Sequence, residues 1–142
     1  MKQNRIRRAA MRIDQVKNKL SNIETREHLY LFLEQYFLCE VVSKELLVGY
    51  LEQKHKPIKY EDAKIDLRKL KAAYNCYGLG LEEALYARLF AGRKEKGRPR
   101  SAKMLRDSLV HSITKSNLAE LDDGFTLLIN DMQVFLKAIS EE

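Results

Sequence analysis

The sequence is poor in the residues that break or staple a fold. Two prolines and six glycines in 142 residues leave few stop signals, which favours long helices over many short strands. Two cysteines, Cys39 and Cys76, cannot build a disulfide framework and lack the close spacing of a zinc site. No stretch approaches the roughly 18 unbroken apolar residues that a membrane span needs. A secretory signal is not expected, because Arg5, Arg7, Arg8 and Arg12 occupy the place of its apolar core. The phosphate loop GxxxxGK(S/T), the dinucleotide fingerprint GxGxxG and the zinc helix HExxH are all missing. These absences point to a reduced, cytoplasmic, helical protein with no metal, no cofactor and no membrane span.

What is present fits one globular domain over residues 1–142: 45% of the residues are apolar and 32% charged, enough for a single core. The charge is segregated. Residues 92–106 carry seven basic side chains against Glu95, and residues 1–20 carry seven against Asp14. Because the whole chain has only +6, the remainder is net negative. Two basic patches on a small protein suit a polyanion such as RNA, DNA or a membrane surface. The plainer alternative is a solvated helix face and a mobile loop.

Periodicity organises the rest. Ile6, Ala9, Ile13, Val16, Leu20 and Ile23 recur at steps of three and four and predict a helix from about Lys2 to Asn22. Thr25 is a candidate N-cap for a longer helix to about Lys54. Its apolar positions, Leu29, Phe32, Leu33, Tyr36, Phe37, Val41, Leu47, Val48 and Leu51, are dense enough for burial on more than one side. Glu40 and Lys44, four apart, read as an ordinary helix ion pair. Pro57 marks a break, and a third helix is expected from Glu61 to Tyr77, ended by Gly78 and Gly80. A short helix over Leu81–Ala91 follows, then the basic loop Gly92–Pro99 and a helix capped by Ser101. Asn117 and Glu120 form a capping-box pattern for the last helix, which buries Leu121, Phe125, Leu128, Met132, Phe135 and Ile139. The expectation is an all-α, up-and-down bundle of about five to six helices.

Catalytic candidates are few. Of three histidines, His28 and His55 read as surface residues, and both cysteines as core thiols. His111 differs, because it closes the run Arg106-Asp107-Ser108-Leu109-Val110-His111 just after the basic loop. That run resembles the R-x(4–6)-H motif of the HEPN superfamily, in which Asn, Asp or His often follows the arginine. The resemblance covers most of the chain in helix order and length, while its motif-specific content is residues 106–111 and the amphipathic helix after them. It implies an all-α fold, a homodimer and, as in many members, a metal-independent endoribonuclease of a toxin–antitoxin or phage-defence system, with an antitoxin or other protein as a further partner. A tyrosine commonly stands two residues after the histidine in toxins regulated by nucleotide attachment; Ile113 stands there in this chain, so that regulation is not expected.

The residue types suit the chemistry. RNA cleaves itself when its 2′-OH attacks the adjacent phosphate, which requires no metal. Histidine titrates near neutrality, so His111 is expected as base or acid. Arg106 offers a permanent, forked cation to the phosphorane, and Asp107 would orient Arg106 or a water. A polar residue from an earlier helix often joins the family's site, which nominates Glu40 or Lys44. Arg93, Lys94, Lys96, Arg98, Arg100 and Lys103 would draw in RNA through its phosphates. One geometric difficulty stands: five helical residues turn through about 500°, leaving Arg106 and His111 about 140° apart. A loosened helix end, the reach of the arginine or a symmetric dimer would close that gap. Two other readings stay open. One is a non-catalytic RNA-binding, nucleotide-binding or protein-interaction module. The other is a DNA-binding helix-turn-helix around Gly78–Gly80, with only Arg88 as a basic reader.

Overall fold

The computed structural model describes residues 6–11, 26–79 and 82–140. Five α-helices carry the fold: α1 (Arg26–Gln53), α2 (Leu67–Cys76), α3 (Glu83–Phe90), α4 (Ala102–His111) and α5 (Lys115–Ser140), with a 3-10 turn at Tyr60–Asp62. No strand occurs among the described residues. The all-α bundle expected from the sequence is what the chain forms. Residues 6–11 are helical, inside the first helix expected; the rest of that helix, the Thr25 cap, Gly80 and Leu81 lie outside the described residues.

Leu29, Phe32, Tyr36, Cys39, Ser43 and Leu47 of α1 are buried, a stripe at steps of three and four. Phe37, expected in the core, is 62% exposed, because it stands about 100° round the helix from Tyr36. The matching stripe on α5 is Leu118, Leu121, Leu128, Met132 and Phe135. His28 meets Asp122, and the Cys39 thiol meets the Met132 carbonyl. Partners thus advance together along both helices, so α1 and α5 run parallel.

An aromatic chain joins the helices. Tyr86 of α3 stacks on Tyr74 of α2 at 4.9 Å, Tyr74 meets the Phe135 edge at 5.4 Å, and Phe135 meets Phe90 at 5.4 Å. Phe90 reaches Tyr36 of α1 at 6.3 Å. Such pairs add about 0.5–1.5 kcal/mol each beyond the area they bury. The Tyr74 hydroxyl lies 3.0 Å from Ser43 Oγ, which accounts for a buried serine in an apolar stripe. Burial raises the Cys39 thiol to about 12, so it is an inert packing group. Cys76, expected to be similar, is exposed.

Local chemistry sets the helix ends. The third helix begins later than its apolar pattern suggested, because the Asp66 carboxylate accepts the Lys69 N–H and caps it there, while Ala63 and Ile65 are buried on the segment before it. Gly78, at φ +71°, ends α2 as predicted. Its N–H donates to the Asn75 carbonyl and that of Leu79 to Tyr74, a Schellman closure. Ser101 caps α4 as predicted, accepting the Met104 N–H at 3.2 Å, and its hydroxyl also donates to the Ala91 carbonyl at 2.6 Å. That second bond clamps the two ends of the basic loop together. The cap of α5 is Thr114, which accepts the Asn117 N–H at 3.1 Å. Asn117 and Glu120, the expected capping box, are engaged by Arg100 instead.

Asp131 is 3% exposed and accepts from Arg88 Nε and Nη2 at 2.8 and 3.0 Å, joining α3 to α5. Removing a partner from such a pair strands a charge. Arg88→Met should therefore cost on the order of 3 kcal/mol in urea unfolding, and adding Asp131→Leu should restore most of that stability.

Candidate functional site

Tyr36 stands at the rim of the core. Phe90 packs on one side of it, and the Arg106 guanidinium lies over its ring at 5.1 Å, a cation–π contact. Burial pushes the Tyr36 phenol well above its ordinary value, against the opposing pull of Arg106, so it stays protonated. Sequence reading placed Tyr36 in the core alone; its position four residues before Glu40 was the available signal for a second role.

The residues around Arg106 come from two helices. Arg106 Nη2 lies 3.5 Å from Glu40 Oε2 and 3.2 Å from Asp107 Oδ1. Glu40 Oε1 in turn lies 3.7 Å from Lys44 Nζ, and that ammonium sits 5.6 Å over the Tyr60 ring. Arg106 Nε is buried without a hydrogen-bond partner. Nη2 thus makes the shortest approach to both carboxylates. The side chain keeps 27% of its surface exposed. Four of the predicted residues, Glu40, Lys44, Arg106 and Asp107, therefore form one connected cluster.

His111 stands apart from it. It is the last residue of α4, exposed, and contacts none of the four. The helix does not loosen before it: Ser112 still donates to the Ser108 carbonyl at 2.8 Å. The angular gap of about 140° is thus not closed by unwinding. His28, read as a surface residue, is exposed but stacks on Phe125 at 4.0 Å and meets Asp122 at 2.9 Å.

The six basic residues assigned to RNA divide into two groups. Arg93, Lys94 and Lys96 are exposed on the loop, and Arg98 is exposed with Glu95 at 3.3 Å. Arg100 is half-buried and engaged on three sides. Its Nε lies 3.0 Å from both Glu120 oxygens, Nη1 donates to Ser108 Oγ at 2.6 Å and Nη2 to Asn117 Oδ1 at 2.9 Å. Asn117 Nδ2 donates to the Ser112 carbonyl at 2.9 Å. This clamp fixes the His111 end of α4 to α5, so Arg100 positions the motif helix. Lys103 Nζ donates to the Ile65 carbonyl at 3.2 Å. No three His, Cys, Asp or Glu side chains converge as metal ligands among the described residues, and no described helix is long and apolar enough to cross a membrane.

No family model, curated protein or solved structure matches the chain.

The clamp has a pH signature. Hydrogen bonding from Arg100 holds the Glu120 carboxyl below its ordinary value of 4.5, and Lys71 lowers exposed Glu83 likewise. A depressed folded value means that the unfolded chain takes up protons first. The contribution is complete above about pH 4.5 and is lost as pH falls through the folded value. The thermal midpoint should drop on acidification through that window, and Glu120→Gln should lower it at pH 7 while shrinking the acid-dependent drop.

Proposed function

We propose that this chain is a metal-independent endoribonuclease of the HEPN kind, acting on RNA in the cytoplasm as a homodimer. The observation that carries the reading is the Arg106 guanidinium. Two carboxylates and the Tyr36 ring lie against it, 27% of the side chain stays exposed, and its helix ends in an exposed histidine. Glu40, from an earlier helix, lies 3.5 Å from Arg106, which supports its nomination as the additional polar residue that the resemblance implies. A role in a toxin–antitoxin or phage-defence system, with an antitoxin as partner, follows from that resemblance alone.

In this reading the ribose 2′-oxygen bonds to phosphorus as the 2′-proton passes to a base. The bond from phosphorus to the 5′-oxygen then breaks, and that oxygen takes up a proton. The products are a 2′,3′-cyclic phosphate and a 5′-hydroxyl. Arg106 stabilises the charge on the phosphorane oxygens, with its fork held still by Glu40 and Asp107. His111 moves the proton. Because five helical residues separate them, the histidine serving a given Arg106 comes from a second copy across a two-fold cleft. Exposed Phe37 and Tyr30 on α1 and Val110 on α4 are apolar surface suited to that contact.

One observation favours a second reading, a binding module without catalysis. Lys44 and Arg106 are matched by Glu40 and Asp107, so the cluster carries no net charge. The two readings part in one assay. With EDTA present, wild-type protein should cut single-stranded RNA, and His111→Ala should be slower by at least about 100-fold with its thermal midpoint unchanged. Arg106→Lys, which keeps the charge but gives up the fork, should be comparably impaired. Equal activity in His111→Ala ends the catalytic assignment, and RNA that is bound but left intact by wild type selects the binding module. Sedimentation should give a dimer for wild type and a monomer for Phe37→Glu.

A further inference from the structure

A cavity of about 680 Å³ is walled by the first turn of α2, by Gly92-Arg93 and by Lys103 of α4, with Phe90 among its lining. Arg68 and Lys69 of α2, Arg93 of the loop and Lys103 of α4 all line it, against the single carboxylate of Asp66. Three separate segments therefore converge four cations on one space. Asp66 is already occupied as the cap of α2, accepting the Lys69 N–H. None of the four cations has an ion-pair partner among the described residues. Other cations nearby do: Lys71 pairs with Glu83, Arg88 with Asp131 and Arg100 with Glu120.

Lys103 precedes Arg106 by three residues, an axial advance of about 4.5 Å on one helix. Lys103 thus joins the cavity to the helix that carries Arg106, and Phe90 joins it to Tyr36, over which Arg106 lies. The cavity's chemistry, with two guanidinium forks and two ammonium groups around open space, is that of a phosphate seat. We propose that this cavity binds a backbone phosphate of single-stranded RNA next to the one addressed at Arg106. The inference rests on the RNA reading above for its ligand but not on cleavage. Sequence alone pointed to Arg93 and Lys103 as members of a charge run, whereas Arg68 and Lys69 join them only through the fold.

The test uses a 5′-fluorescein oligouridine 12-mer, with anisotropy titrations of the full chain over a range of NaCl concentrations. Arg68→Ala/Arg93→Ala, both at exposed positions, should keep the thermal midpoint and weaken binding about 10-fold. The slope of log affinity against log salt should become shallower by about 0.7 for each phosphate that is no longer neutralised. The control pair Lys56→Ala/Lys115→Ala removes the same charge from exposed positions elsewhere and should have a clearly smaller effect. Equal weakening by both pairs, or no weakening by the first, overturns the proposal. So does saturable pyrophosphate binding that the first pair removes while oligouridine binding stays intact, because the seat then serves free phosphate. Wild type that binds without cutting ends the nuclease reading and leaves this one standing. A first-pair variant that cuts RNA with unchanged KM does the reverse.

Discussion

The ring of Tyr36 has two neighbours of opposite character, and the rest of the molecule is arranged around that fact. Toward the interior it continues an aromatic chain through Phe90, Phe135, Tyr74 and Tyr86. Toward the rim it carries the Arg106 guanidinium. The chain draws on α1, α2, α3 and α5, and Arg106 adds α4, so one run of neighbouring side chains touches each helix from α1 to α5. Hydrophobic burial alone is non-directional. Ring edges, ring faces and a cation over one face supply direction, and they set where α4 rests against α1.

Charge is handled in two ways in this protein. Where a cation must hold helices together it is given a carboxylate: Arg88 has Asp131 and Arg100 has Glu120. Arg106 is an intermediate case, beside two carboxylates yet still partly exposed. Exposed pairs such as Arg98 with Glu95 contribute little to stability. The overall positive charge therefore says less than its placement, because cations such as Arg88 and Arg100 are engaged in holding helices together.

Much of the fold was legible in the sequence because helix faces repeat at steps of three and four. The buried stripes of α1 and α5 were visible that way, as were the Ser101 cap and the Gly78 stop. The late start of α2 was not, because Ala63 and Ile65 are buried without belonging to a helix, and burial pattern does not distinguish the two. Thr114 and Asn117 are both good capping residues three apart, and only the demand of Arg100 on Asn117 decides between them. For the same reason Arg100 looked like one more member of a basic run: adjacency in sequence does not reveal which cation turns inward. The cluster of Glu40, Lys44, Arg106 and Asp107 could be nominated from spacing and motif. The part played by Tyr36, and the convergence of Arg68 and Lys69 on the loop, depend on the meeting of distant segments that no local pattern encodes.

The parallel course of α1 and α5 has a practical consequence for anything attached to the chain. Twenty-six residues of α5 span about 39 Å, so its last turn emerges at the pole opposite the α4–α5 corner where His111 sits. A fluorophore, affinity handle or surface tether appended after α5 is therefore carried well away from that corner.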